Sequence, residues 1–370
     1  MLPVSRPSIG KEELDEVEKV FSTGWLGLGS VVFEFENMIK EYLGAKHVIA
    51  VNTGTTALHI ALDAFGIGNG DEVIVPSLTF CASIQVITAL GAKPVFCEIN
   101  PENLNMDVSD VKKRITSKTR AIMPVHYCGQ ACRMDELLEI GKKYNIVIVE
   151  DAAHAFGSSY KGRKIGSFGD VTCFSFDPIK NITCGEGGAV VIHNDDIAEE
   201  IRRKRILGID KDTWHRYKNE RSWFYEVTTQ GYRYHMSNIN AAIGLVQFRK
   251  LDKFIEKKRY IVSQYNEAFK NLQGLKILKW NLMETAPFTY IIRVLNGRRE
   301  EMIEFLKEKG VGTGIHYIPN HMQPFFKPYT TPLPITEQVA EEILTLPLYN
   351  DMTDEDVSLV INSVIDFCRK

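Results

Sequence analysis

Residues 173–191, CFSFDPIKNITCGEGGAVV, set a lysine between an apolar run and a glycine-rich turn. The run VTCFSF (171–176) reads as a buried strand, and Pro178 cannot continue its ladder. Gly185, Gly187 and Gly188 then allow a tight return into a second strand, GAVVIH. Lys180 is thereby delivered to a sheet edge instead of a solvated helix face, where most lysines keep their ammonium hydrated. Ligands of open α/β sheets bind at that carboxyl edge. Partial burial there would lower the amine's pKa and ready it to attack an aldehyde.

On both sides of this stretch, between about residues 45 and 195, short β-branched runs alternate with helical patterns. The strand candidates are HVIAVN, DEVIVP, KPVFCEI, AIMPVHY, IVIVEDA, VTCFSF and GAVVIH. Alternation of this kind predicts a large, mostly parallel sheet flanked by helices on both faces. TTALHIALDAF has apolar residues at helical spacing, and MDELLEIGKKYN has the acidic start and basic end that suit a helix dipole. A long helical stretch, residues 238–272, leads to a smaller C-terminal α+β domain with the strand FTYIIRV, the helix REEMIEFLKEKG and a final helix at TDEDVSLVINSVIDFCRK. The expected division is a large domain over 1–245, including the N-terminal segment, and a small one over 246–370.

Composition narrows the function classes. With 370 residues, 44% hydrophobic, 25% charged and a formal net charge of −3, the chain reads as globular and offers no electrostatic case for nucleic-acid binding. The opening MLPVSRPSIGKEEL lacks a signal-peptide core, and no apolar run approaches the roughly 18 residues of a spanning helix. A cytoplasmic protein without membrane contact is expected. Seven cysteines without a CxxC pair suit reduced thiols. Cys128 and Cys132 could share a helix face, but no second ligand pair follows at zinc spacing, and the His316/His321 spacing is no zinc signature either. No metal site is expected.

Two further segments could share chemistry with Lys180. In VIAVNTGTTALHIAL a strand runs through Thr53, Gly54, Thr55 and Thr56 into a helix, an arrangement that either caps the helix or holds a phosphate on free backbone N–H groups. In VIVEDAAHAFGS, Asp151 ends an apolar strand, where it could cap the next segment or serve as counter-ion to a protonated pyridine nitrogen. His154 reaches the same neighbourhood if the chain turns helical. A phosphate cradle, a pyridinium partner and an amine nucleophile together describe a pyridoxal 5′-phosphate site.

These residues, with TGWLGLGSVVFEFE, VPSLTFCASIQVITALGAKPVFCEI, GYRYHMSNINAAIGLVQ, GIHYIPNH and LPLYNDMTDEDV, resemble the DegT/StrS-type aminotransferases over nearly the whole chain. The resemblance implies an aspartate-aminotransferase-like α/β fold of type I, pyridoxal 5′-phosphate as cofactor, and a homodimer with shared sites. It implies that Lys180 condenses with the cofactor aldehyde and Asp151 pairs with the ring nitrogen. Phe80 matches the aromatic that stacks on the ring, and His154 the partner of its phenolic oxygen. Ser175, Thr55 and Thr56 match the phosphate ligands. Many relatives read GYNYRM where this chain reads GYRYHM, so Arg233 or His235 is left to supply the contact to the phosphate across the dimer. Trp25, His316 and Tyr317 fall in segments that border the family's substrate pocket. A branch of the family carries histidine for the lysine and removes a sugar hydroxyl; Lys180 argues for transamination instead.

The implied reaction moves an amino group from L-glutamate to a nucleotide-linked keto sugar, for amino-sugar and cell-surface polysaccharide biosynthesis. A keto-inositol or small phosphorylated ketone as acceptor would use the same cofactor residues, and a non-catalytic regulatory relative is the third class. A dehydrogenase is disfavoured, because no GxGxxG follows the first strand.

Overall fold

Strand β1 (His47–Val51) opens a seven-stranded sheet that continues with β2 (Glu72–Pro76), β3 (Lys93–Cys97), β4 (Thr119–Ile122), β5 (Val147–Asp151), β8 (Val171–Ser175) and β9 (Gly188–Ile192). The computed structural model that shows this describes residues 1–209 and 225–370. The spatial order is β1-β9-β8-β5-β4-β2-β3, and β9 alone among these strands runs antiparallel to its neighbours. A two-residue-strand hairpin, β6 (Ser159–Tyr160) and β7 (Arg163–Lys164), lies between β5 and β8 in sequence.

Both faces of the sheet are covered, which is why its strands read as continuous apolar runs. Successive strand residues point to opposite faces. Val48, Ala50, Ile74 and Ile148 belong to one apolar layer, and Ile49, Val51, Val73, Val75 and Val149 to the other. The first layer is closed by α2 (Ser30–Leu43) and α6 (Met134–Tyr144), and the second by α3 (Gly54–Ala64), α4 (Ala82–Ala89) and α7 (Asp195–Arg205). The remaining helices of this part are α1 (Lys11–Thr23) and α5 (Val108–Arg114).

The predicted long helix is two. Helix α8 (Asn238–Arg249) runs through the division expected at 245, and α9 (Leu251–Phe269) restarts after Lys250. Neither proline nor glycine marks the break. It coincides with a tertiary demand: the Lys250 ammonium reaches Glu12 and Glu13 of α1 at 2.9 and 2.7 Å. Beyond α9, the strands β10 (Leu275–Ile277), β11 (Tyr290–Val294) and β12 (Ile343–Leu346) form an antiparallel sheet packed with α10 (Arg299–Glu308), α11 (Pro334–Glu342) and α12 (Asp354–Cys368). Residues at the extreme N-terminus join this second unit and not the large sheet. Leu2 N–H donates to Gly310 O at 2.7 Å, and Leu348 N–H to Val4 O at 3.0 Å.

The strand expected over AIMPVHY also needs correction, because β4 stops at Ile122. Pro124 has no N–H to continue the ladder, and the chain keeps contact with β5 through one bridge, Val125 to Asp151. Around that bridge the Asp151 N–H donates to Pro124 O at 2.8 Å and His126 N–H to Asp151 O at 3.1 Å, so the last residue of β5 is held on its open side.

Candidate active site

The carboxyl ends of β5 and β8, the start of α3 and the segment before α4 enclose a cavity of about 300 Å³, closed from the C-terminal unit by His316 and Tyr317. Thr55, Phe80, Asp151, His154, Ser175 and Lys180 all line it, so most of the residues singled out in the sequence converge.

Lys180 sits on a loop fastened at both ends. Phe176 N–H donates to Gly187 O at 2.8 Å and Cys184 N–H to Phe176 O at 2.9 Å; between them Ile179 N–H is capped by Asp177 Oδ1 at 3.1 Å. Gly185 takes a left-handed φ of 76°, which a side chain would resist. Among the described residues the Lys180 amine has no hydrogen-bond partner, and its Nζ lies 4.4 Å from the centre of the Phe288 ring. Burial pushes the ammonium's pKa down, with the carboxylates of Asp177 and Asp151 partly opposing it.

Asp151 is 4% exposed. Its Oδ2 accepts from Ser83 Oγ at 2.7 Å and its Oδ1 from Ala153 N–H at 3.1 Å. Burial raises its pKa, while the Ser83 and Ala153 donors and the Lys180 and His126 charges pull it back. A buried carboxylate held this way calls for a cation in front of it.

His154 is buried on a turn, not the helix expected, yet it still reaches the cavity. Its ring stacks on Phe288 with centroids 4.2 Å apart, and its Nε2 is hydrogen-bonded to Tyr317 Oη at 3.1 Å. Burial, then the charges of Lys180 and His316, hold its pKa well below the usual imidazole range. The neutral ring thus has one nitrogen satisfied, and Nδ1 is buried with no partner among the described residues. In the tautomer in which Tyr317 donates to Nε2, the ring proton is on Nδ1, a donor without an acceptor among the described residues.

At the opposite wall, Thr53 caps α3 and its Oγ1 accepts from Thr56 N–H at 3.0 Å. The Thr56 hydroxyl is turned to Asn52 Oδ1 at 2.8 Å, so the structure makes Thr56 part of the cap and leaves it off the cavity wall. The first amides of the helix, Gly54 and Thr55, have no partner among the described residues and meet Ser175 across a close gap. A Cβ on Gly54 would lie 2.6 Å from Ser175 Cβ, and one on Gly188 2.3 Å from Thr53 O. Glycine at both positions lets the helix start, β8 and β9 approach closely enough to make an anion cradle.

Phe80 is 54% exposed, with its ring 5.7 Å from that of Tyr317. His316 donates to or accepts from Thr345 Oγ1 at 2.9 Å through Nδ1. Trp25, Arg233 and His235 do not line the cavity of their own chain. Trp25 Nε1 donates to Leu28 O at 2.8 Å; Arg233 bridges Ile206, and His235 bridges Val51. Three lining or contacting residues escaped the sequence reading. Ser83 could have been found as the hydroxyl three residues after Phe80 at the start of α4. Glu186 lay in view within GEGG. Phe288, in an apolar run 108 residues after Lys180 (288 − 180), gave no signal at all.

A buried carboxylate, an unpaired depressed amine and an anion cradle on one α/β sheet edge define an enzyme that holds a phosphorylated aldehyde cofactor. The model of the DegT/DnrJ/EryC1/StrS aminotransferase family matches residues 7–365, and the chain belongs to that family. Its fold and cofactor follow: it is a pyridoxal 5′-phosphate-dependent transaminase. The spore coat polysaccharide biosynthesis protein SpsC of Bacillus subtilis is 38% identical over 387 residues, covering 100% of this chain and 97% of that one. The crystal structure of the aminotransferase TlmJ from Streptoalloteichus hindustanus superposes with a TM-score of 0.93 at 33% identity, covering 99% of this chain and 98% of that one. Spr1654 of Streptococcus pneumoniae in its PLP form gives a TM-score of 0.92 at 30% identity, covering 100% and 98%.

The cavity fits the cofactor on its own evidence. The orphaned His154 Nδ1, the Asp151 carboxylate and the Gly54–Ser175 cradle offer a donor, an anion and a phosphate site around one amine. Among the described residues no helix is long and apolar enough to cross a membrane.

Proposed function

We propose that this protein transfers an amino group from L-glutamate to the ketone of a nucleotide-linked sugar, in the cytoplasm and as a homodimer. The observation that carries the reading is the Lys180 amine, depressed by burial, without a hydrogen-bond partner among the described residues, in one cavity with a buried Asp151. Sugar as the acceptor class is supported by family membership and by the polysaccharide role named for SpsC.

Bound pyridoxal phosphate supplies an aldehyde and an electron-withdrawing ring that disperses negative charge from the donor's Cα. The chain's residues do the rest. Asp151, its carboxylate kept in place by Ser83 and Ala153, would hold the ring nitrogen protonated. Gly54, Thr55 and Ser175 would hold the phosphate, His154 Nδ1 would donate to the phenolic oxygen, and Phe80 would cover the ring. Lys180 Nζ, whose pKa burial lowers and which has no hydrogen-bond partner among the described residues, would take the proton from the donor's Cα and later return one to the acceptor's carbon. His316 and Tyr317 would border the acceptor; Trp25, Arg233 and His235 lie off the cavity of their own chain, and Arg233 or His235 would serve the second subunit's phosphate.

The test is a panel. Purified protein with pyridoxal phosphate is given glutamate and, in parallel, nucleotide keto sugars, a keto-inositol and small phosphorylated ketones, with Lys180→Ala as the control. Glutamate-dependent amination of a nucleotide keto sugar, abolished in Lys180→Ala while its circular dichroism is unchanged, is the expected result. Amination confined to the other ketones would replace the acceptor, and turnover by Lys180→Ala would remove the lysine from the chemistry.

A further inference from the structure

Two titratable side chains of the cavity share one apolar neighbour. Phe288 is 3% exposed and belongs to the segment entering β11, outside the large sheet that supplies Lys180 and His154. Its backbone is pinned from both sides: Phe288 N–H donates to Cys128 O at 3.1 Å, Thr289 Oγ1 contacts Cys128 Sγ at 3.3 Å, and Ala286 N–H donates to Ser158 Oγ at 2.9 Å. The ring so fixed lies 4.4 Å from Lys180 Nζ and stacks on His154 at 4.2 Å with an interplanar angle of 23°.

Hydrogen bonds do not explain how these two groups are held. The Lys180 amine makes none among the described residues, and the His154 ring has a single one, between Nε2 and Tyr317 Oη. One bond at one nitrogen does not set the plane of an imidazole; of the rings around His154, those of Tyr317 and Tyr127 are 6.0 and 6.1 Å away and that of Phe288 is nearest. A flat partner on its face fixes the ring plane and so the direction of Nδ1. A flexible lysine stem needs a boundary that confines the amine without holding it protonated, and an aromatic face supplies one where an adjacent carboxylate would stabilise the ammonium.

We propose that Phe288 is a positioning residue of the transaminase site, aligning the Lys180 amine and the His154 ring toward the cofactor. This rests on the function proposed above only in taking Lys180 and His154 as cofactor residues. The C-terminal unit thereby sets geometry inside the large-sheet half of the site, in addition to closing it with His316 and Tyr317.

Capture of pyridoxal phosphate by the cofactor-free, full-length chain tests this without turnover. It is followed by visible absorbance across pH, in wild type, Phe288→Leu and Phe288→Tyr. Phe288→Leu is expected to capture the cofactor about tenfold more slowly and with a displaced absorbance band, and Phe288→Tyr to retain the wild-type rate and band. Phe288→Met, which fills the volume without a ring, carries the same comparison if the leucine variant does not fold. Wild-type rate and spectrum in the folded ring-less variant would overturn the proposal, as would equal loss in leucine and tyrosine variants, which marks a packing role. A wild-type chain that captures no cofactor would instead bring down the reading of Lys180 itself.

Discussion

Replacing Lys258 by methionine would remove a buried base that the active-site chemistry does not consume. Lys258 lies on α9, is 4% exposed, and its ammonium nitrogen donates to Asn181 Oδ1 at 3.0 Å, immediately after Lys180 in the chain. No carboxylate pairs with it among the described residues. Burial first, and then the charge of Lys180, lower its pKa from 10.5 to about 7. The drop from 10.5 to about 7, at ~1.4 kcal/mol per pH unit, corresponds to a folded-state cost of order 5 kcal/mol for carrying the proton. Between about pH 7 and 10.5 the unfolded chain binds this proton and the folded chain does not, so stability rises with pH across that window. Below it the cost is present in full and constant.

Denaturant unfolding of the cofactor-free protein and of Lys258→Met, at one protein concentration and at pH 7.5 and 9.5, isolates the effect as a difference of differences. Wild type should gain about 2–3 kcal/mol more than the variant over those two pH units. Methionine also forfeits the bond to Asn181, which shifts the variant's curve as a whole but leaves its slope alone. Parallel stability–pH curves would refute the assignment of a neutral amine to this position.

Ser83→Ala takes the hydroxyl donor from Asp151, so the carboxyl's pKa rises further and the site loses its counter-ion from the acid side upward. Cofactor affinity measured by equilibrium titration should fall roughly tenfold, the value of about 1.5 kcal/mol for a bond to a charged group, and fall most at low pH. Gly54→Ala sets a Cβ 2.6 Å from Ser175 Cβ. The overpacking should cost about 1–3 kcal/mol in unfolding experiments, and affinity for pyridoxal phosphate should drop more than affinity for pyridoxal, because the cradle serves the phosphate.

Much of the fold and site is legible from residues alone where local chemistry and tertiary demand agree. VTCFSF and IVIVEDA are strands because both sheet faces are buried, and the position of Asp151 and Lys180 follows from where those strands end. The errors fall where a competing partner or a chain-breaking residue, near or far in sequence, decides. The helix breaks at Lys250, the residue that reaches α1, and no local residue announces it. Pro124 is visible inside AIMPVHY, but the apolar run around it outweighs it. Thr56 has the spacing of a phosphate ligand; the cap formed with Thr53 and Asn52 claims it first. Phe288 cannot be read, since an aromatic in an apolar strand entry looks like any core residue until the fold brings it beside Lys180.

The reversed direction of β9 has a consequence for how such a scaffold can diversify. Because β8 and β9 are antiparallel neighbours, the reactive amine hangs on the loop between two paired interior strands, not on a crossover that must travel over a helix. Its tether is fastened at both ends by that pairing and by the Phe176–Gly187 and Cys184–Phe176 bonds. The segments bearing Phe80, His316 and Tyr317 reach the cavity from the rim and from the second unit, so new acceptors can be accommodated by editing the periphery around an immovable nitrogen.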